Sequence, residues 1–161
     1  MDDAPALLTR WEWTDADFGE MGWHDCYIHA FAAAPETDEF LLDIDYIVRW
    51  ENRGSARNEG FFTVWVTPAT LVFHNAAAVE VHVGPGQGGM AILDLERTDE
   101  QLTPGGAMID WRWSAFGVGG HFSLRATGYT QYIRRPPREG AFRLSQEERG
   151  GLSFSREPYE G

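Results

Sequence analysis

The sequence predicts an all-β, mostly antiparallel fold, a sandwich or barrel of about eight strands with a short helical turn near each end. Two observations carry this prediction. Apolar and polar residues alternate with a period of two through most of the chain, which is typical of half-buried strands. Short turn-rich segments separate these runs, since the 161 residues include 18 glycines and 8 prolines. Such short connections favour antiparallel neighbours.

The segment from Phe40 to Glu51 is the clearest strand. Its polar face carries Asp43, Asp45 and Arg49. A helix would scatter these carboxylates through the apolar stripe, whereas a strand separates them almost cleanly. The apolar face comprises Leu42, Ile44, Tyr46, Val48 and Trp50.

Weaker versions of the same alternation predict the remaining strands. The segments are 25–33, 61–66, 71–74, 79–83, 91–97, 108–115 and 121–134. The segment 71–74 is predicted to be a short strand that follows Pro68. The whole chain, 1–161, is predicted to be a single domain.

Two short helical turns are predicted from their capping residues. Thr14 can cap a turn that begins at Asp15, with Asp17 as the reciprocal partner of a capping box. Ser145 can cap a second turn that ends at Gly150. The polar C-terminal tail, 135–161, is predicted to pack loosely or to lie over the body of the protein.

The charge balance excludes several classes of function. The chain has 25 acidic residues against 13 basic ones and a formal net charge of −12. Such a surface repels phosphate groups, so neither nucleic acid nor an anionic membrane is an expected partner. A cationic protein partner is favoured, and a small-molecule ligand is possible. All basic residues are arginine, so lysine Schiff-base chemistry is excluded.

Cysteine and histidine usage argues against a disulfide scaffold, a metal and a cofactor. Cys26 is the single cysteine, and its alternation with Ile28 predicts a buried thiol. The five histidines lack metal-ligand spacing. The N-terminus does not resemble a signal peptide, and no run approaches the roughly 18 apolar residues of a membrane span. A cytoplasmic bacterial protein is therefore expected.

The candidate binding residues lie in two places. Trp23, His24 and Asp25 lie at the entrance of the strand predicted over 25–33, and cooperation between His24 and Asp25 would require a turn or bulge. The alternative is that Asp25 accepts backbone N–H groups. Asp43 and Asp45 stand about 6.5–7 Å apart on one strand face. They could form a solvated acidic face, bind a cationic partner, pair with arginines such as Arg49, or act as an acid and a base.

Three sequence blocks, 22–29, 41–47 and 65–73, together resemble a group of small uncharacterised bacterial β-rich proteins. These share a Gly-Trp-His-Asp motif at a strand entrance. More loosely, the blocks resemble immunity proteins of bacterial toxin systems, in which a His-Asp dipeptide also enters a strand. The resemblance covers roughly residues 11–75 and supplies no catalytic residue. It implies a non-enzymatic protein that blocks a toxin by binding it.

The expected function is therefore non-enzymatic binding of a cationic protein through an acidic sheet face, with toxin immunity as one setting. The alternative is a small-molecule-binding β-barrel with lyase, cyclase or isomerase activity, in which His24, Asp25 and Tyr46 would supply acid–base chemistry. A glycan-binding sandwich is a third hypothesis, which requires exposed, coplanar tryptophan rings.

Overall fold

The computed structural model describes residues 8–52, 62–84 and 89–160. Over these ranges it is a single antiparallel sheet of ten strands, which confirms the all-β prediction with two strands more than the expected number. The strands are β1 (Glu12–Thr14), β2 (Tyr27–Ala34), β3 (Glu39–Asn52), β4 (Phe62–His74), β5 (Ala77–Val83), β6 (Met90–Leu102), β7 (Ile109–Val118), β8 (Gly120–Ala126), β9 (Gly128–Ile133) and β10 (Arg138–Gly140). A 3₁₀ helix spans Asp15–Glu20, and α1 spans Gln146–Arg149.

The spatial order of the strands is β1-β9-β4-β3-β2-β6-β7-β8-β5, with β10 beside β4. β2 and β6 join the two halves through only two residue pairs, Tyr27 with Ala91 and Ile28 with Met90. β1 and β5 stand at the two ends of this order. Within the described ranges the sheet is therefore open, and it does not close into a barrel.

The predicted strand 121–134 is divided into β8 and β9 at Thr127. β8 pairs with β7 and β5, whereas β9 pairs with β4 and β1, so the chain passes from one half of the sheet to the other at this residue. The N–H of Thr127 donates to the carbonyl oxygen of His74 at 3.0 Å. The alternating pattern alone does not reveal such a change of partner.

Pro68 does not break β4, although the sequence predicts two strands there. On one side Pro68 lies opposite Asp45 of β3. On the other side β4 pairs with β10 at 64–66 and with β9 from Ala69 onward, and Pro68 occupies the gap between these partners. Its missing N–H therefore leaves no ladder bond unmade.

The core lies between the two halves of the sheet and is built around aromatic rings. Trp113 packs against Tyr129 and Phe73, with ring centroids 5.4 and 5.7 Å apart. Leu42 and Ile44 are fully buried in the same cluster, as the alternation in β3 predicts. These rings and aliphatic side chains supply most of the apolar area that drives folding.

Both predicted helical turns are present with their capping boxes. The hydroxyl of Thr14 accepts from Ala16 N, and the carboxylate of Asp17 accepts from Thr14 N. The Ser145 hydroxyl and the Glu148 carboxylate form the second box. Gly150 ends α1 in the left-handed conformation, with φ of 78°. Phe61 of the predicted strand 61–66 and the N-terminal residues 1–7 lie outside the described residues.

Candidate functional site

Asp43 and Asp45 lie on one face of β3, and both are completely buried. The guanidinium of Arg149 connects them: Nη2 and Nη1 donate to Asp43 at 2.6 and 2.9 Å, and Nε donates to Asp45 at 3.1 Å. Arg134 donates another bond to Asp43 at 2.7 Å. His29 Nε2 lies 2.6 Å from Asp45 Oδ2. These five side chains are called the buried ion cluster below.

The C-terminal part of the chain, residues 144–153, covers the buried ion cluster and is called the C-terminal cover. The N–H of Leu144 donates to Asp45 at 2.9 Å, and the N–H of Ser153 donates to Asp43 at 2.9 Å. This part of the tail lies over the body of the protein and is held there by buried polar contacts. It is not loosely packed.

The prediction that Asp43 and Asp45 form a solvated acidic face is therefore wrong. Polar residues that alternate with apolar ones mark the side of a strand away from the core, but here another segment occupies that side. The charges are tolerated because they are paired. Burial raises the pKa of Asp43, but hydrogen bonds from Arg149 and Arg134 outweigh this effect and hold that pKa below its ordinary value.

The sequence does not identify the arginines that neutralise this cluster. It predicts the capped turn that carries Arg149, but not the partner of that side chain across the fold. Arg49, the suggested partner, is exposed and pairs with Glu51 at 2.9 Å. The register shifts between Ile47 and Arg49, so the simple alternation ends before Arg49. The one sequence signal for the role of Arg149 is its position in a well-capped turn within the polar tail.

Trp23 is also buried, so it does not belong to an exposed binding surface. Its indole Nε1 donates to Gln131 Oε1 at 3.0 Å. Its ring packs against Phe18 and Tyr129 at centroid distances of 5.8 and 5.5 Å. Trp23 therefore anchors the segment before β2 in the core. Of the seven tryptophans, all of which lie in the described ranges, only Trp50 is exposed.

His24 and Asp25 are brought together by the turn that their cooperation requires. Asp25 has a φ of 63°, and His24 Nε2 lies 3.4 Å from Asp25 Oδ2. His24 Nδ1 is 2.9 Å from the carbonyl oxygen of Leu93. Both side chains remain accessible to solvent. No contact joins them to the buried ion cluster within the described ranges.

A second polar surface lies on the other half of the sheet, on the outer side of β6, β7, β8 and β5. Directly opposed residues of neighbouring strands place their side chains on one face. One row across the four strands consists of Asp94, Phe116, His121 and His82. The next row consists of Glu96, Ser114, Ser123 and Glu80. These eight residues are called the outer four-strand face.

The outer four-strand face is exposed, and within the described part of the chain its three carboxylates make no ion pair. The exposed Arg112, which lies opposite Arg125 on the same side of the sheet, occupies the adjoining row. Arg125, on the same side of β8, is already bound to Asp110 at 2.6 Å and to Asp99 at 3.0 Å. Phe116 lies on this face between Asp94 and His121 and is 55% exposed. His121 and His82 extend it as stacked rings with centroids 5.2 Å apart.

An open cleft of about 500 Å³ lies between the 3₁₀ helix and β6. The guanidinium of Arg97 stands over the rings of Phe18, Trp111 and Trp113, at 4.9, 5.2 and 5.7 Å. The suggested acid–base residue Tyr46 does not line this cleft, and burial raises its pKa. The cleft is lined by Phe18, Met21, Gly22, Trp23, Asp94, Leu95, Glu96, Arg97 and Thr98.

Among the described residues, no group of three or more His, Cys, Asp or Glu side chains is placed to hold a metal ion. The helices within the same ranges are all too short or too polar to cross a membrane. No protein-family model matches the sequence, and no curated protein matches it. The similarity to immunity proteins therefore stays a prediction from the sequence.

Proposed function

We propose that this chain is a non-enzymatic binding protein whose outer four-strand face binds a cationic protein. The observation that carries the proposal is the exposed sheet face with three unpaired carboxylates together with an exposed Phe116. The net charge of −12 adds a long-range field of the same sign. Toxin immunity is the biological setting that the sequence resemblance implies.

The arrangement suits recognition of a basic surface. Unpaired carboxylates at the rim of an interface steer an oppositely charged protein and raise its association rate. An aromatic side chain at the centre supplies the apolar contact that commonly dominates the binding energy. Phe116 and its neighbours Asp94 and Glu96 combine these two features on adjacent strands.

The buried ion cluster does not support the same function. Its two carboxylates already accept hydrogen bonds from Arg149 and Arg134, and the C-terminal cover excludes a partner from them. Binding there would require removal of the cover and exposure of paired charges, which costs several kcal/mol, on the order of the penalty for separating a buried pair. The exposed face requires no such rearrangement.

The test uses the immobilised protein and lysate of the source organism at about 50 and 300 mM salt, since screening weakens exposed charge pairs. A captured basic protein is then purified, and its association rate is measured by surface plasmon resonance. Neutralisation of the three carboxylates should lower that rate about tenfold at low salt. F116S should raise the dissociation rate. The neutralising variant is D94N/E96Q/E80Q.

A matched control removes the same charge from elsewhere on the surface. Glu36, Glu147 and Glu157 are exposed and lie away from the outer four-strand face. The variant E36Q/E147Q/E157Q should retain most of the association rate. Equal losses in both triple variants would show that net charge, and not this face, governs binding. Failure of every recovered protein to bind again in purified form would refute the proposal.

A second candidate function is small-molecule binding in the cleft beside Arg97. Arg97 and Phe18 line this cleft side by side, and a guanidinium beside an aromatic ring suits a ligand that combines an aromatic ring with an anionic group, against the opposing charges of Asp94 and Glu96 in the same lining. The fluorescent probe 8-anilinonaphthalene-1-sulfonate has this chemistry. Saturable binding with one site that R97M abolishes would support this function. Absence of binding, or equal binding by R97M, would refute it.

A further inference from the structure

β5 has one open edge. In the part of the chain that the structure describes, β5 pairs with β8 and with no strand on its other side. All seven of its residues are exposed. Its alternation is regular near the C-terminal end, with Val79, Val81 and Val83 on one face and Glu80 and His82 on the other. An open edge of this kind is a template for another strand.

We propose that two copies of this chain associate by antiparallel pairing of their β5 strands, with Val81 opposite Val81 of the second copy. This register places Glu80 opposite His82 of the second copy, and the two-fold symmetry generates that pair twice. It also places Val79 opposite Val83. Opposite-charge pairs and β-branched pairs are both favourable across antiparallel strands.

The neighbouring registers are less favourable because they oppose like groups. Centring the pair on Glu80 places two carboxylates opposite each other, and centring it on His82 places two imidazoles opposite each other. A shift by one residue places Glu80 opposite a valine and turns the two outer faces to different sides. The sequence Val-Glu-Val-His-Val is self-complementary in one antiparallel register only, the one about Val81.

The pairing would continue the sheet from one copy into the other. With Val81 on the two-fold axis, the outer four-strand faces of both copies lie on the same side and form one longer surface. The proposal goes beyond the proposed function; in the dimer Glu80 pairs with His82 of the second copy, and Asp94 and Glu96 remain open to a partner. Because the contact is limited to one short strand, its area is small, and a dissociation constant of about 10–100 µM is expected.

The experiment exchanges the two polar residues of β5. E80H places two histidines opposite each other, and H82E places two glutamates opposite each other. The double variant E80H/H82E restores both opposite-charge pairs in reversed order. Sedimentation velocity at one mildly acidic pH measures the dimer dissociation constant. His82 is faced there by His121 of β8 and by Glu80 of its own strand, so all variants are compared at one pH.

We expect a monomer–dimer equilibrium for the wild-type protein between about 5 and 300 µM. Each single variant should dimerise about tenfold more weakly, and the double variant should recover most of the wild-type affinity. Far-UV circular dichroism checks that all four proteins are folded. A wild-type protein that stays monomeric at 300 µM would overturn the proposal. So would single variants that dimerise as well as the wild type, or a folded double variant without recovery.

Discussion

Removal of Arg149 tests whether the buried ion cluster holds the C-terminal cover in place. In R149M the side chain keeps a similar length but loses its charge and its donors. Asp43 and Asp45 then remain buried, with Arg134 as the remaining cation and His29 as a hydrogen-bond partner. A buried charge that has lost its partner destabilises a protein far more than an exposed one.

The size of the effect follows from the complete burial of this contact. Removing one partner of a buried ion pair lowers the free energy of unfolding by about 3–5 kcal/mol. For a chain of this size, each kcal/mol lowers the melting temperature by about 2–4 °C, so R149M should melt about 6–20 °C below the wild type. The loss is a large part of the roughly 5–15 kcal/mol that stabilises a typical domain.

Thermal and urea unfolding, followed by circular dichroism and tryptophan fluorescence, measure this loss. The matched control is R156M, because Arg156 donates two bonds to Glu39 at 2.8 and 2.7 Å but is 41% exposed. Exposed pairs contribute no more than about 1 kcal/mol. If R149M loses no more stability than R156M, the buried ion cluster does not stabilise the fold as argued.

The pKa of Asp43 determines how the stability difference between the wild type and R149M depends on pH. Because this pKa is lowered in the folded state, the contribution of Asp43 to stability is complete above its ordinary pKa. It is lost as the pH falls through the lowered value. The difference in stability between the wild type and R149M should therefore narrow below about pH 4. A constant difference from pH 7 to pH 3 would contradict this assignment.

Three further predictions concern single residues. Burial raises the pKa of the Cys26 thiol to about 12, so this thiol should resist a disulfide reagent in the native protein and react after unfolding in urea; rapid labelling of the native protein would contradict it. A Cβ at Gly117 would lie 1.8 Å from the carbonyl oxygen of Ala91, so G117A should lower the free energy of unfolding in urea by about 1–3 kcal/mol. A Cβ at Gly105 has no neighbour within 4 Å, so G105A should change that free energy by no more than about 0.5 kcal/mol. The hydrogen bonds from Arg156 hold the pKa of Glu39 at about 2, and an NMR titration of R156M should return it toward 4.5.

Local features of the fold could be read from the sequence because short-range chemistry determines them. Thr14 and Ser145 were identifiable as caps since each has an acidic residue three positions later. The period of two in β3 also identified Leu42, Ile44 and Tyr46 as core residues, but it was wrong for Trp50, which is exposed beyond the register shift that follows Ile47. These signals depend on neighbours within a few residues.

Changes of strand partner could not be read in the same way. β8 and β9 form one continuous alternating run, yet they belong to different halves of the sheet. Pro68 interrupts neither the pattern nor the strand, because the two partners of β4 meet beside it. In both places the outcome depends on which segment lies alongside, and that information is spread over the chain.

The polar sides of β3 and of the outer four-strand face show the same alternation, but one is covered and the other is bare. Hydropathy cannot distinguish them, because a buried ion pair and a solvated carboxylate use the same residue types. The difference lies in how the arginines are placed: Arg134 and Arg149 bind the carboxylates of β3, whereas Arg112 on the outer side and the other basic residues of the described ranges form no ion pair with the carboxylates of the outer face. In an acidic chain with 13 arginines, partners suffice for only some of the carboxylates. A partner-binding surface is therefore best sought where acidic residues remain unpaired, and not where they are most regularly spaced.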